Sequence, residues 1–492
     1  MSRFEDAPIG VSDPASPSSI SPGTGEMSRA RPRRFTSPRR SLGLRTFSGR
    51  LAAIVIVGLV LRVWYASAVA PDLGLSGDAK YYHEAANLLA EGHGFIDPVR
   101  HDFAGRRIEI TTATGDARTI TLPVPFDVPT AGHPPVYVVY LSLFSRLGVG
   151  TVLGHRIASA LLGSLSVLLA GLAGRELLHG RAGAERLGLI SASVTATYAY
   201  VWVNDGLVMS ETAAIAVAFA ITWVGLRFAH NPTRARAAVF GVLGGLCALT
   251  RAELVLYLPV VALIVLVRAP ITWRMRVERY AIAGVVALLC ISPWVIRNLI
   301  AFADPVFLSN GAGTVLVQAN CDDTYYGPDI GYWSLRCGEP QPYGPNGEIL
   351  DEAQRDKVVR VRALDYIGDH RARLLTVVVP RRVGRMWGVY RPLHQIDLDV
   401  LVEARPKWVS QLAFVQYLVL APCAVIGAFI CRRRRIPLAA CAVWAVLVTI
   451  TAASAFGNTR YRTAAEVSIV LLASVTMFAL TEWWAERRTE LA

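Results

Sequence analysis

Apolar residues in this chain come in long runs, most of them of membrane-spanning length. Residues 51–70 form an apolar run of 20 residues, which as a helix at about 1.5 Å per residue reaches roughly 30 Å, the hydrocarbon thickness of a bilayer. Further runs occur at 154–174, 188–204, 211–229, 237–250, 253–267, 280–301, 410–431, 436–455 and 463–484. Lipid offers no partner to an open backbone, so the runs predict an all-α polytopic bundle of about ten transmembrane helices. Residues 135–149 are apolar only as far as Arg146. They are short for a crossing and predict an interfacial or re-entrant helix.

Polar segments divide the rest. Residues 1–48 are rich in Ser, Pro and Arg and read as a disordered cytoplasmic tail. A cleaved leader over 1–70 is rejected, because its charged part is too long and its apolar run spans. Residues 49–301 form a transmembrane module with a first large loop at 71–153. A second loop region covers 302–409, C-terminal spans 410–484, and a short cytoplasmic tail 485–492. Within the second region, 351–371 predicts an amphipathic helix with Val358, Val359, Val361, Leu364 and Ile367 on its apolar side.

Orientation follows from arginine. The short loops 175–187, 227–236, 268–279 and 432–435 hold 3, 3, 4 and 4 arginines, while 204–210, 250–253 and 456–462 hold 0, 1 and 2. Positive residues stay inside, so both termini are expected in the cytoplasm and both large loops outside. The formal charge of +13 therefore reports topology rather than a nucleic-acid partner. With 18% charged residues, against about 25% in a soluble domain, the composition agrees with a lipid environment. Of seven cysteines, Cys321 and Cys337 lie in the second loop region, where an extracytoplasmic setting permits a disulfide. No Cys/His metal-ligand spacing, P-loop or dinucleotide fingerprint is present.

Candidate chemistry gathers on the expected outer face. Asp78 opens Gly77-Asp78-Ala79-Lys80-Tyr81-Tyr82, where it reads either as a helix cap beside interfacial aromatics or as a catalytic carboxylate. His133 precedes two prolines that rigidify the entry to the interfacial helix. Glu211 begins a spanning run, and Arg62 lies about two-thirds along the first span. Charges at membrane depth need partners, and Arg62 with Glu211 is one such pairing. Arg251, Arg460 and Arg462 either anchor to headgroups or bind phosphate with their forked donors.

The ordered set Gly77–Tyr82, Gly92-His93-Gly94-Phe95, His133-Pro134-Pro135, Met209-Ser210-Glu211, Leu249-Thr250-Arg251, Pro293–Asn298 and Arg460-Tyr461-Arg462 resembles the GT-C superfamily of membrane glycosyltransferases. The resemblance is to family-39-like members related to protein O-mannosyltransferases and lipid A aminoarabinose transferases, and it covers most of residues 50–484. The 319–337 elaboration resembles actinobacterial members. The resemblance implies a bacterial plasma-membrane enzyme taking a sugar from a polyprenyl-phosphate donor to an extracytoplasmic glycan, lipid or protein, with inversion. It implies Asp78 as base, Glu211 as a second acidic site residue, and Arg251, Arg460 and Arg462 near the donor phosphate. Arg62, Lys80, Tyr81, Tyr82 and His133 complete the expected substrate-binding set. No cofactor is implied. The first loop lacks a paired DxD, so no metal ligand is assigned, although a divalent metal is left open. The competing class is a lipid-linked sugar transporter or flippase, to which intramembrane charge also belongs.

Overall fold

The computed structural model describes residues 46–70, 73–75, 77–111, 117–338 and 348–490. The expected tail lies almost wholly outside them. Each of the ten apolar runs forms helix. Six helices are long and apolar enough to cross a membrane: Phe47–Val69, Val152–Leu177, Glu211–His230, Trp273–Ala301, Lys407–Arg433 and Ala465–Glu490. The other four runs give shorter helices. Ala184–Thr197 stops where Tyr198 turns extended. Arg234–Thr250, Tyr257–Arg268 and Leu438–Ser454 hold 17, 12 and 17 residues. The chain is a multi-pass membrane protein of all-α architecture.

Burial separates an inner from an outer set of helices. Val152–Leu177, Glu211–His230 and Ala465–Glu490 have 67%, 67% and 72% of their apolar windows buried within the protein, against 22%, 22% and 28% for the other three. Val152–Leu177 achieves this with small residues, Ala158, Ser159, Ala160, Gly163 and Ser164 among them, which let neighbouring backbones approach closely.

One buried ion pair crosses this core. Arg62 Nε lies 2.8 Å from Asp205 Oδ2, both side chains fully buried. The remaining donors of Arg62 reach the carbonyls of Gly58, Thr195 and Ala196, and Thr212 Oγ1 donates to Asp205 Oδ1. This corrects the expected Arg62–Glu211 pairing. Asp205 sits in the turn that precedes Glu211–His230 and reaches inward, while Glu211 has other partners. Gly163 makes room for the pair, since a Cβ there would meet Asp205 Oδ2 at 2.1 Å.

At one end of the bundle, hereafter the loop face, helix Gly77–Glu91 lies against the short helix Val136–Arg146. Tyr82, Ala85 and Ala86 pack on Tyr137, Val138 and Leu141. Eleven residues rise only about 16 Å, too little to cross. The second loop region clasps the first. Glu352 accepts from Thr130 Oγ1 at 2.6 Å and from the Ala131 amide at 2.8 Å. Arg297 donates to the carbonyls of Phe95 and Thr130. Cys321 and Cys337 are disulfide-bonded, with Cα atoms 6.0 Å apart.

Helix Glu352–Asp369 starts at an Asp351/Gln354 capping box; of its expected apolar face Val359 is buried and Ile367 half-buried, but the other three residues are corrected. Ala353, Asp356, Val359 and Ala363 face inward, whereas Val358, Val361 and Leu364 are exposed. The inward side packs on helix Ala312–Ala319, whose first amides donate to Asp356. A cap rather than an apolar stripe therefore sets its rotation.

At the opposite end the arginine-rich loops meet. Arg181 donates to the carbonyls of Arg434 and Arg435, and Arg279 to that of Pro232. Arg62→Met leaves Asp205 buried without its partner, so we expect a loss of about 3 kcal/mol in stability. Arg62→Met/Asp205→Leu should recover most of it. Thermal melting of the detergent-solubilised variants measures both.

Candidate active site

Three segments distant in sequence bring carboxylates to one guanidinium at the loop face. Asp78 lies in the first turn of Gly77–Glu91. Glu211 is the first residue of Glu211–His230, where the positive end of the helix dipole favours a carboxylate. Glu403 ends helix Pro392–Glu403. Arg460 sits in a 3-10 turn, Thr459–Arg462, whose preceding residue Asn458 caps the Arg460 amide. From there Arg460 Nε reaches Glu211 Oε1 at 2.8 Å, Nη1 reaches Glu403 Oε2 at 3.0 Å and Nη2 reaches Asp78 Oδ2 at 2.8 Å. The planar fork of arginine makes such a three-way junction feasible; an ammonium has no fixed plane of donors.

A second guanidinium shares the junction. Arg251 Nη1 lies 2.6 Å from Glu211 Oε1, and its Nε 2.5 Å from Glu253 Oε1. Its Nη2 has no hydrogen bond among the described residues. Glu211 is fully buried, and its Oε2 likewise lacks a hydrogen-bond partner among them. Val208, just ahead of Ser210 and Glu211, adopts a left-handed φ of 57°. A β-branched residue there costs about 1–3 kcal/mol, a strain that tends to gather at functional sites.

Support comes from behind. Arg405 pairs with Asp399 at 3.3 Å and donates to Thr459 Oγ1 and Asn204 Oδ1. Asn458 donates to Glu403 Oε1. On the other side, His133 Nε2 stands 3.6 Å from Asp78 Oδ1, with its ring packed against Tyr81 and Tyr82 at centroid distances of 4.8 and 4.7 Å. Tyr82 donates to Ser210 Oγ and Tyr81 meets Thr130 Oγ1.

Burial opposes ionisation of Asp78, but Arg460 and then His133 outweigh it and hold its carboxyl well below the usual carboxylate range. At Glu403 burial wins over Arg460 and Arg405, and its carboxyl is raised. The two groups share one cation yet are pushed apart, which is a pattern of functional sites.

A cavity of about 680 Å³ opens over the junction, lined by Asp78, Tyr82, His133, Arg251, Glu253, Glu403 and Arg460. Trp333, Phe456 and Tyr461 add aromatic wall. That volume lies in the range for small-molecule sites.

Of the residues expected from sequence, Asp78, Glu211, Tyr82, His133, Arg251 and Arg460 come together. Tyr81 supports His133 from outside the cavity lining. Three others stand apart. Arg62 is spent on Asp205. Lys80 is half exposed and near Glu84 and Asp102. Arg462 is buried against Glu466 and stacks on Tyr200 and Tyr417; two residues on from Arg460 in a tight turn, it faces the bundle. Glu403 and Glu253 were not singled out. Gln395, Asp399 and Glu403 recur every four residues, a buried polar stripe on one helix face that signals a partner.

Residues 132–296, about a third of the chain, match the family model of dolichyl-phosphate-mannose-protein mannosyltransferases. The matched stretch contains His133, Glu211 and Arg251. No curated protein matches the chain. Among solved structures, the archaeal oligosaccharyltransferase AglB from Archaeoglobus fulgidus, in complex with an inhibitory peptide and a dolichol-phosphate, is 15% identical with a TM-score of 0.49. That alignment covers 90% of this chain and 51% of AglB, so this chain spans about half its length. ArnT from Cupriavidus metallidurans bound to undecaprenyl phosphate is 17% identical with a TM-score of 0.36, covering 87% and 78% of the two chains.

Replacing Arg460 by Met should strip Asp78, Glu211 and Glu403 of their shared partner and cost about 3–5 kcal/mol at neutral pH. The folded-state carboxyl values of Asp78 and Glu403, where burial opposes ionisation, then rise above the unfolded ones. Such groups bind protons on folding, so stability recovers as pH falls. We expect the melting deficit against the parent to shrink between pH 8 and pH 5; a deficit unchanged with pH would contradict the junction. In sequence, residues 132–296 are similar to the dolichyl-phosphate-mannose-protein mannosyltransferases.

Proposed function

We propose that the protein is a glycosyltransferase of the bacterial plasma membrane. It moves a sugar from a polyprenyl-phosphate donor to an extracytoplasmic acceptor, with inversion and with Asp78 as general base. The observation that carries this reading is the convergence of Asp78, Glu211, Arg251 and Arg460 under one cavity. The matched family, whose name specifies a lipid-phosphate sugar donor, supports it.

The chemistry follows from the donors and acceptors present. An acceptor hydroxyl attacks the anomeric carbon, and its proton passes to Asp78. The bond between that carbon and the phosphate oxygen breaks, leaving polyprenyl phosphate as product. Arg251 Nη2, without a hydrogen bond among the described residues, is the donor first available to the phosphate. The nitrogens of Arg460 are all covered by carboxylates, so a phosphate gains this cation only by exchange. Release of Asp78 from Arg460 by that exchange raises its basicity as the donor is seated. A base held far below neutral pH is weak, and efficiency improves as its pKa approaches working pH. The exchange therefore couples donor binding to activation. Trp333 and Tyr461 offer flat faces to a sugar ring.

The test is transfer from radiolabelled polyprenyl-phosphate sugars in membranes carrying the parent or Asp78→Asn. We expect label to leave the lipid with the parent and the rate to fall by about 10²–10⁴-fold in the variant. Equal rates would remove Asp78 from the base role. No transfer, with lipid-linked sugar still changing leaflet, would establish the flippase instead.

A further inference from the structure

A second constellation lies in the first loop, on residues the proposed transfer chemistry does not use. His93 stands between Gly92 and Gly94, whose φ angles of +101° and +79° are left-handed. Glycine adopts these without strain, and the His93 amide donates to Leu88 O in the last turn of helix Gly77–Glu91. His101 lies on the short helix Pro98–Asp102, which Asp97 caps through the Val99 and Arg100 amides. Asp127 precedes the strap that leads to His133.

Main-chain pairing holds these pieces together without help from the three side chains. The Asp97 amide donates to Val128 O at 2.8 Å and the Thr130 amide to Phe95 O at 3.0 Å. Ile96 and Pro129 form a bridge between them. Upon that frame, His93 Nδ1 is 3.1 Å from Asp127 Oδ2 and His101 Nδ1 is 2.7 Å from Asp127 Oδ1. Each carboxylate oxygen thus faces a different imidazole. All the ligand atoms fall within 4.8 Å of one another.

These separations approach those of a shared ion. Ligands about 2.05 Å from a tetrahedral zinc ion stand roughly 3.3 Å apart, so the two imidazole–carboxylate pairs open by a few tenths of an ångström to admit it, while the set, within 4.8 Å, draws in on the centre. Mixed imidazole and carboxylate donors suit a zinc-class ion, whereas magnesium and calcium prefer oxygen throughout. The side chains of His93, His101 and Asp127 are 38%, 31% and 28% exposed, which gives an ion a way in and leaves water to complete its shell. No pair of cysteines or close histidine spacing announces the set, because it is assembled by the Phe95–Asp97 and Val128–Thr130 pairing.

We propose that His93, His101 and Asp127 form a binding site for a divalent transition metal of the zinc class. The ion clamps the end of the helix that carries Asp78 to the strap that carries His133. It does not depend on the glycosyltransferase reading.

A second cluster must be silenced in the test. Glu176 Oε1 is met by His179 Nδ1 at 3.1 Å and His230 Nδ1 at 3.2 Å. The full chain carrying His179→Ala/His230→Ala is therefore dialysed against zinc chloride in detergent, and bound metal is measured by elemental analysis. We expect one zinc per chain, and binding at least tenfold weaker once His93→Ala/His101→Ala is added. Cobalt(II) supplies a readout that needs no loop variant: it should give a visible d–d band that zinc abolishes. Zinc retained after both loop substitutions overturns the proposal. So does a chain with the loop intact that takes up neither zinc nor cobalt.

Discussion

Arg460 is the constraint on which the loop face depends. A single side chain near the C-terminal end of the chain fixes carboxylates from the first loop, from the start of an inner helix and from the second loop region. Desolvating that much charge is expensive, and only dense pairing offsets it. The offset is incomplete. Asp78, Glu211, Glu253 and Glu403 form their ion pairs with two guanidinium groups, Arg460 and Arg251, with His133 beside Asp78. Burial first, and the neighbouring Asp78 and Glu211 carboxylates after it, raise the carboxyl of Glu403, and Glu211 Oε2 has no hydrogen-bond partner among the described residues. A site so arranged is poised for rearrangement when a charged ligand arrives.

The scaffold keeps that junction rigid from several sides. Glu352 and Arg297 grip the strap before His133, and Arg405 and Asn458 hold the turn that carries Arg460. Deeper in the bundle, Arg62 and Asp205 lock the turn leading into Glu211. The two ion networks divide the work: the deep pair is sealed, whereas the junction opens onto a cavity. Under the proposed reaction this division lets the site exchange partners while its supports stay fixed.

Run length made the helices legible, because a bilayer imposes one number on every span. Resemblance of short ordered motifs made Asp78, Glu211, Arg251 and Arg460 legible as a group. Partner choice was not. Arg62 announced itself as a charge in an apolar run, but its partner, Asp205, sits 143 positions later in a turn whose direction no local pattern encodes. Arg460 and Arg462 look alike in sequence and serve opposite sides of one tight turn. Glu403 escaped notice although its stripe with Gln395 and Asp399 was visible. The exposed Val358, Val361 and Leu364 show the converse: an apolar periodicity yielded to a cap and to small-residue packing.

The central claim is that the cavity over Arg460 seats a lipid-phosphate sugar with its reacting carbon before Asp78. The most direct measurement is a cryo-electron microscopy structure of the chain in nanodiscs with a non-hydrolysable polyprenyl-phosphonate sugar. The account predicts the phosphonate within hydrogen-bond distance of Arg251 Nη2 and Arg460, with the anomeric carbon facing the cavity side of Asp78. A donor seated elsewhere, with the Arg460–Asp78 pair intact beneath an empty cavity, would contradict it.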